Sequence, residues 1–308
     1  MNSSYATTGM NRGDLVLLSF LTLCWGVNWP LIKLAVTDFP PLAFRSWSML
    51  LGLVFLGPYL VMRAEGFLVP RTEWRYVLLL AIPNMALFHL LMIIALQHIS
   101  SGRAAILAYT MPAWAAVSGM LLFGHRPKAF QLLAVGLALT ATFLLLVSEA
   151  LLTLTGSPLS VLSMLIAAAL WGYGTVLMKQ TRLSISNAAL LFWMLAVSGV
   201  LIGSVSLITE FSDYRMPNGF EWTAIFYNAI IVFAICHIVW FRLARKLSPI
   251  VSSLAIMLIP PIGVFTGAAT LNEGIGIYDL LALFLILVSM AVVLVPSFRK
   301  TGSTGSSD

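Results

Sequence analysis

Residues 100–112 read SSGRAAILAYTMP, and residues 248–260, which lie 148 positions later, read SPIVSSLAIMLIP. Both stretches open on a serine, continue with small and apolar residues, and reach a proline twelve positions after the serine. Each leads into an apolar run that ends in a turn-forming pair, Gly124-His125 or Asn272-Glu273, again 148 residues apart. The chain of 308 residues therefore contains an internal repeat, and each copy makes up nearly half of it.

The repeat extends well beyond this stretch. Trp25-Gly26 precedes Lys33 by the same spacing with which Trp171-Gly172 precedes Lys179, at an offset of 146 residues. Three further pairs keep the offset of 148: Glu73 with Glu221, His89 with His237, and Pro112 with Pro260. Two additional residues in the second half, before Glu221, reconcile the two offsets.

The composition indicates a membrane protein with many spans. Hydrophobic residues make up 60% of the chain and charged residues only 9%, whereas a soluble domain has about 25% charged residues. The net charge of +6 comes from residues between apolar runs rather than from one basic cluster, so nucleic-acid binding is excluded. Cys24 and Cys236 lie inside apolar runs, where we expect them to be packing residues rather than disulfide or metal ligands.

Ten segments are long and apolar enough to cross a hydrocarbon layer, which takes about 20 helical residues. They are predicted at about 14–35, 41–62, 74–96, 102–123, 128–148, 158–179, 187–208, 221–243, 249–271 and 277–297. The breaks between them contain Pro, Gly, Ser and Asn, as expected of short connections. The fold class predicted is an all-α integral membrane protein with ten transmembrane helices.

The distribution of Lys and Arg predicts the orientation. With the N-terminus inside, thirteen of the seventeen basic residues fall at cytoplasmic ends of the spans. The positive-inside rule therefore places both termini in the cytoplasm. The predicted units are a first five-helix repeat over 14–148, a second over 158–297, and a disordered cytoplasmic tail over 298–308.

Each repeat has five spans, an odd number, so the second copy is predicted to run through the bilayer in the opposite sense. Inverted repeats of this kind are the architecture in which many transporters build alternating access around a site near the midplane. A duplicated membrane scaffold without transport is the alternative. Helix spacing and composition alone leave both open, although transport is favoured.

The residues also resemble a known family. Trp25-Gly26-x-Asn28 with Lys33, Pro41-x-x-x-Arg45, and Ala104-Ala105 with Pro112 and Gly124 are similar to the EamA-like members of the drug/metabolite transporter superfamily. Within it the pattern is most similar to bacterial inner-membrane exporters of aromatic amino acids. The resemblance covers about residues 14–297 and implies a multi-pass inner-membrane exporter. One departure is His125, where the family commonly has Glu after the glycine.

Polar, aromatic and thioether side chains deep in the spans are the candidate substrate-binding residues, because lipid offers an amide or indole N–H no partner. They are Trp25, Asn28, Asn84, Met85, His89, Tyr109, Trp171, Tyr173, His237, Trp240 and Met257. A cavity lined by rings and thioethers would suit an apolar or aromatic solute. Hydrogen bonding between packed helices is the alternative for each residue.

Several other residues have two interpretations. Pro112 and Pro260 each remove a backbone hydrogen bond, which predicts a hinge or a static kink. His89 and His237 are either protonatable gate residues or neutral partners between helices. Arg45 and Arg103 either reach to lipid headgroups or attract a substrate carboxylate. The acidic residues noted, such as Glu273 and Asp279, fall at span ends, where solvation explains them.

The predicted function is export of aromatic and other hydrophobic amino acids by alternating access. A broad-specificity drug or metabolite permease of the same fold is the alternative. An intramembrane enzyme or receptor is disfavoured, because the spans show no catalytic spacing of Ser, His or acidic residues. We expect no cofactor or metal, small molecules and lipid as partners, and no obligate protein partner.

Overall fold

The computed structural model describes residues 12–124, 126, 128–152, 157–246 and 256–302, with the side chains of 149–152, 244–246 and 293–302 outside the description. These residues form helices joined by short connections, and no strand occurs among them. The helices are α1 (Arg12–Ala35), α2 (Pro41–Met62), α3 (Trp74–Leu96), α4 (Ser101–Phe123), α5 (Ala129–Leu152), α6 (Pro158–Gln180), α7 (Asn187–Thr209), α8 (Gly219–Phe226, continued by Tyr227–Cys236 and His237–Lys246), α9 (Ile259–Leu271) and α10 (Ile277–Gly302).

The helices follow the predicted spans closely. Helices α1 to α8 each contain a stretch long and apolar enough to cross a membrane, while α9 and the apolar part of α10 are shorter within the described residues. The predicted ninth span begins in 247–255, which lies outside the description. The disordered tail predicted from residue 298 is wrong at its start, because α10 continues to Gly302; residues 303–308 lie outside the described part.

The prolines of the repeat interrupt their helices as predicted. In α4 the first segment ends at Ala108 and a new one begins at Met111, so Pro112 lies in the first turn of the second segment. Proline is tolerated there because the first turn has no intrahelical partner for its N–H. Pro260 has the same place at the start of α9. The structure shows a new helical segment beginning one residue before each proline, and both the hinge and the static kink stay predictions.

The turn-forming pairs end the helices as predicted. Gly124 has a φ of 65° after α4, and Asn272 has a φ of 53° after α9. Both are left-handed conformations, which Gly and Asn adopt at lower cost than other residues and which commonly end helices. The same backbone device therefore closes corresponding helices of the two repeats.

Wider π-helical turns in α3 and α8 were not predicted. They span Ile82–Leu87 in α3 and Tyr227–Cys236 in α8, so they lie at corresponding positions of the repeat. In α8 the Nδ1 of His237 donates to the Val232 carbonyl five residues earlier, at 2.8 Å. Because π turns change the helical phase, sequence spacing across these two segments does not give the helical face as it does in a regular helix.

Corresponding helices of the two repeats pack in corresponding ways. Helix α2 packs against α7, its repeat partner, and α5 packs against α10 in the same manner. Helix α1 packs against α9, and α6 packs against the second segment of α4. The α4–α6 contact is close: a Cβ atom on Gly172 would lie 2.7 Å from the Ala115 nitrogen and 2.8 Å from the Met111 carbonyl oxygen.

Candidate functional site

A cavity of about 670 Å³ lies between α4, α5, α6 and α10. This volume is within the roughly 300–1,000 Å³ typical of small-molecule sites. Tyr109, Pro112 and Trp171 line it, and so do the thioethers of Met111, Met120 and Met290. The cavity surface is therefore mainly aromatic and aliphatic, and the break in α4 forms part of its wall.

The polar lining comes mainly from helix termini. Gln131 lies in the first turn of α5, and Lys179 and Gln180 end α6. Three of the lining residues on α6, Trp171, Thr175 and Lys179, are spaced by four, which places them on one face of the helix. Along this face the lining changes from an indole through a hydroxyl to an ammonium group, over about 12 Å of helix.

The opposite end of the helices is tied together by carboxylates. The Glu273 side chain, just after α9, accepts from the backbone N–H of Ser101 at 2.7 Å, from the Ser101 hydroxyl at 2.8 Å and from the Gly102 N–H at 3.3 Å. Glu210, just after α7, accepts from the N–H groups of Leu42 and Ala43 at 2.9 Å each. A carboxylate at a helix N-terminus meets unpaired N–H groups and the positive end of the helix dipole.

Two cations complete this arrangement, which we call the clamped end (Lys33, Ser101, Arg103, Glu210, Glu273 and Asp279). Lys33 Nζ donates to the carbonyls of Leu96 and Gln97 at 2.7 and 2.8 Å, and Arg103 Nε contacts Asp279 at 2.6 Å. The expectation that the acidic residues at span ends are simply solvated is therefore wrong for Glu273 and Asp279. The interpretation that the Arg103 side chain reaches to lipid headgroups (snorkelling) is also wrong.

Arg45 is also not at a headgroup position. It is 1% exposed, its Nη1 lies 3.4 Å from the Asn228 Oδ1, and its guanidinium faces the rings of Phe44 and Phe233 at 5.9 and 5.6 Å. Its Nε and Nη2 have no hydrogen-bond partner. The snorkelling interpretation is therefore wrong for Arg45 as well, because the side chain points into the protein.

The predicted histidines lie in an aromatic cluster apart from the cavity lining. The Phe233 ring is 5.4 Å from His89 and 6.2 Å from His237. Trp25 is 5.7 Å from His237 and 6.1 Å from Trp240. The structure thus brings four predicted site residues, Trp25, His89, His237 and Trp240, into one group between α1, α3 and α8.

The remaining candidates make packing contacts. Asn84 is buried, donates to the Leu80 carbonyl at 3.0 Å and fills the space opposite Gly174. Met85 is buried in the hydrophobic core, and the partly buried Met257 packs against that core. Tyr173 stacks on Phe123 with centroids 6.3 Å apart. Asn28 has a buried Oδ1 without a hydrogen-bond partner.

Of the predicted binding and hinge residues, Tyr109, Trp171 and Pro112 are the ones placed in the cavity lining. Sequence reasoning overlooked the polar part of the lining, Thr175, Lys179, Gln180 and Gln131. The signal in the sequence is the spacing of four from Trp171 through Thr175 to Lys179, which continues a helical face that begins with an aromatic residue. Lys179 is predicted only as the repeat partner of Lys33 and not as a lining residue, because a lysine at the end of a span is normally a topology determinant.

Comparison with known proteins identifies relatives over almost the whole chain. The EamA-like transporter family matches residues 12–147 and again residues 158–295. The uncharacterized transporter YvbV of Bacillus subtilis is 29% identical, with 90% of each chain covered. The uncharacterized inner membrane transporter YedA of Escherichia coli K12 is 25% identical over 89% of this chain and 88% of the relative.

Two other similarities bear on function and fold. A protein of Escherichia coli K12 named as a probable amino-acid metabolite efflux pump is 24% identical over 96% of this chain and all of the relative. A crystal structure of another protein, 18% identical, superposes with a TM-score of 0.64 and covers 94% of this chain and 99% of its own. At that identity the likeness concerns the fold alone.

Proposed function

This chain belongs to the EamA-like transporter family, and on that premise we propose that it exports amino acids with aromatic or other hydrophobic side chains. The family matches both halves of the chain, so it is a multi-pass membrane transporter. The relative named as an amino-acid metabolite efflux pump supports amino acids as the substrate class. Export through the inner membrane of a bacterium follows the relatives named as inner membrane and efflux proteins.

The proposed architecture is ten spans in two inverted five-helix repeats, over 14–148 and 158–297. The equivalent packing of α1 on α9 and of α6 on α4 supports it, as do the interruptions before Pro112 and Pro260. The clamped end is proposed to face outward and both termini to lie in the cytoplasm, following the positive-inside rule. The cavity then opens toward the cytoplasm, the side from which an exporter loads.

One observation carries the proposal: a cavity of about 670 Å³ is lined by rings and thioethers at one end of a helix bundle whose opposite end is tied by Glu273. Closure at one end with access from the other is what alternating access requires of a single state. Tyr109 and Trp171 offer flat apolar faces to an aromatic solute. Transport then requires the clamped end to open while the cavity end closes.

A broad-specificity drug or metabolite permease is the second candidate. The observation that favours it is the methionine content of the cavity wall, where Met111, Met120 and Met290 all contribute. Unbranched thioether side chains adapt to solutes of different shape. The two functions differ in how strictly the amino-acid framework is required.

Counterflow in proteoliposomes tests the proposal. Vesicles containing the purified full-length protein are loaded with unlabelled Phe, and uptake of labelled Phe is measured against a panel of amino acids and amphipathic drugs. We expect exchange that aromatic and large aliphatic amino acids inhibit and that small polar ones do not. Equal inhibition by drugs without an amino-acid framework would support the permease instead.

A pair of neighbouring variants controls for folding. Trp171→Leu removes an indole from the cavity and should raise the Phe concentration for half-maximal exchange about tenfold, since ring contacts contribute roughly 1 kcal/mol or more. Tyr173→Leu changes a ring that stacks on Phe123 instead and should leave that concentration within about twofold. Equal effects of both variants would contradict the assignment of the cavity.

A further inference from the structure

The cavity has a net positive lining. Lys179 is the one charged side chain among the described residues that line it, and Thr175, Gln131 and Gln180 are neutral. No Asp or Glu occurs among those lining residues, and residues 247–255, outside the description, have no charged side chain in their sequence. Among the described lining residues a solute with a positive group therefore meets no carboxylate, while a solute with a negative group meets an ammonium.

Comparison with the repeat partner shows that this ammonium is available. Lys33, which is related to Lys179 by the offset of 146, donates to the carbonyls of Leu96 and Gln97 at the clamped end. Lys179 is exposed and has neither a hydrogen bond nor an ion pair with any described residue. The same residue type at equivalent positions is thus engaged at one end of the bundle and unengaged at the other.

The position of Lys179 sets the direction in which a solute would lie. Side chains on a helix lean toward its N-terminus, so the Lys179 side chain leans back toward Thr175 and Trp171. An apolar or aromatic body between Trp171 and Tyr109 would leave a carboxylate near the Thr175 hydroxyl and the Lys179 ammonium. Thr175 already donates its hydroxyl hydrogen to the Trp171 carbonyl at 2.9 Å, so the Lys179 ammonium is the donor that this face offers to the carboxylate.

We propose that the cavity selects solutes with a carboxylate on an apolar or aromatic body, that Lys179 receives the carboxylate, and that an α-amino group is dispensable. The substrate class is then organic acids that include, but are not confined to, hydrophobic amino acids: 2-oxo acids and N-acylated amino acids enter, and amines and amides are rejected. The inference deepens the proposed function and rests on it, since it concerns the same cavity.

A lysine close to the cytoplasmic end of a span also fits the positive-inside pattern, in which it would determine topology and touch no solute. The two roles differ in a measurable way. A topology determinant does not change the order in which solutes are preferred once the protein is inserted. A carboxylate-binding lysine does change this order, because its removal weakens the binding of acids and leaves the binding of amides unaffected.

The test compares four related compounds as inhibitors of Phe counterflow in proteoliposomes of the full-length protein: Phe, phenylpyruvate, phenylalaninamide and phenethylamine. We expect Phe and phenylpyruvate to inhibit at concentrations about tenfold lower than the amide and the amine, as one ion pair near a protein surface allows. Lys179→Gln should remove this difference, and Lys179→Arg should keep it. Inhibition by phenylalaninamide as strong as that by Phe would overturn the proposal.

A matched control removes a neighbouring charge. Arg182 is exposed, follows α6 by two residues and does not line the cavity, so Arg182→Gln should retain the wild-type preference. Retention of the preference in Lys179→Gln, or its loss in Arg182→Gln, would also overturn the proposal.

Failure of the proposed function is distinguishable from failure of this inference. If no compound exchanges with Phe, export of amino acids is refuted, and the inference is then decided by binding. The shift in thermal unfolding temperature of the detergent-solubilised protein is measured with the same four compounds. Shifts for the two acids alone support the carboxylate preference, whereas equal shifts, or none, overturn it.

Discussion

The two ends of the helix bundle differ in how their polar side chains are used. At the clamped end Glu273, Glu210 and Lys33 are each bonded to backbone groups at a helix terminus. At the cavity end Lys179 lines the cavity without a bond to a described residue, and Gln131 accepts from the Lys128 N–H at the start of its own helix, at 2.9 Å. The bonds at the clamped end satisfy N–H and C=O groups that a helix cannot satisfy by itself. The difference indicates that closing an end of this bundle consists largely of capping helices of one repeat with residues of the other.

The residues at corresponding positions show that the ends are not chemically equal. Glu273 corresponds to His125, Asp279 to Gln131, and Arg103 to Val251, all at the offset of 148. His125 and Val251 lie outside the described residues, so the comparison there concerns residue type only. Among the charged residues Glu273, Arg103, Asp279 and Lys33 of the clamped end, only Lys33 has the same residue type at its repeat position, which is Lys179. We therefore expect the cavity end to close less firmly than the clamped end.

The largest effect is expected at the helix crossing beside the cavity. In Gly172→Ala the new methyl group would meet the Ala115 nitrogen and the Met111 carbonyl oxygen at 2.7 and 2.8 Å, and these are backbone atoms that can move only with α4. Overpacking of this kind costs about 1–3 kcal/mol or more, so we expect the unfolding temperature and Phe exchange both to fall. Gly26→Ala, at the equivalent crossing, meets the Cγ2 and Cβ atoms of Ile262, and because the Cβ atom is fixed to the backbone we expect a comparable loss.

The control for this prediction is Gly136→Ala on α5, where nothing lies within 4 Å of the added methyl group. Alanine is favoured over glycine in a helix by about 1 kcal/mol, so this variant should be as stable as the wild type or more so. Thermal unfolding in detergent compares the three variants. If Gly172→Ala unfolds no earlier than Gly136→Ala, the close α4–α6 contact is refuted.

The next largest effect is expected from Glu273→Ala, which removes the carboxylate that holds Ser101 and Gly102. Bonds to a charged acceptor contribute about 1.5–3 kcal/mol, so opening of the clamped end should become roughly thirtyfold more frequent. Val264 is buried and faces Gly102 on α4. Labelling of Val264→Cys by a membrane-impermeant maleimide, with Cys24 and Cys236 replaced by Ser, reports this opening.

Asp213→Asn is the matched control for Glu273→Ala. Asp213 lies in the connection between α7 and α8 and is exposed. Asp213→Asn therefore removes an acidic charge from the same end without uncapping a helix. Its labelling rate should equal that of the parent Val264→Cys protein. A rate as high as that of Glu273→Ala would attribute the effect to charge alone.

Local features were predictable from sequence, whereas partnerships were not. Proline, glycine and asparagine residues between the apolar runs indicated the helix boundaries, including the ends at Gly124 and Asn272, because their backbone preferences are local. The contact between Glu273 and Ser101 joins residues 172 apart, and a hydropathy pattern has no information about such pairs. Pro83 lies in the π turn of α3, whereas the π turn of α8 contains neither proline nor glycine, so no residue signal common to the two turns distinguishes them from regular helix.

The same limit applies to the candidate site. Aromatic and amide residues in mid-span were predicted together, yet only Tyr109 and Trp171 among them line the cavity, while Asn84 packs against Gly174. A polar group in a membrane helix must face a neighbour or a cavity, and both satisfy it equally well. Which of the two occurs depends on the helix on the other side, and this is fixed by the tertiary structure.

A smaller effect is expected from the ion pair of Arg103 and Asp279, whose side chains are 14% and 7% exposed. A double-mutant cycle of Arg103→Gln and Asp279→Asn, with Val264→Cys labelling as the measurement, should give a coupling of roughly 1 kcal/mol, about fivefold in rate. Arg103 also donates to the Ser148 hydroxyl at 2.9 Å, so Ser148→Ala serves as the control and should not alter the coupling. Additive effects of the two variants would show that the pair does not hold this end.

The smallest effect is expected from Arg215→Gln, although Arg215 has several partners at the clamped end. Its guanidinium donates to both oxygens of Glu221 and to the Asp38 carbonyl, and the hydrogen bonds that it donates to Glu221 raise the pKa of Arg215. A raised pKa keeps the arginine charged at every pH at which transport is measured, so no pH dependence should arise from it. Because its side chain is 41% exposed, solvent screens the pair.

Labelling of Val264→Cys should therefore change less than about twofold in Arg215→Gln, and Arg215→Lys should match it. This outcome sharpens the contrast between the ends, since it would show that closure depends on carboxylates bonded to helix N-termini rather than on the number of polar contacts. If Arg215→Gln opened the clamped end as much as Glu273→Ala does, surface ion pairs would be sufficient for closure. The lack of a carboxylate at positions 125 and 131 would then no longer be a reason to expect that the cavity end closes less firmly than the clamped end.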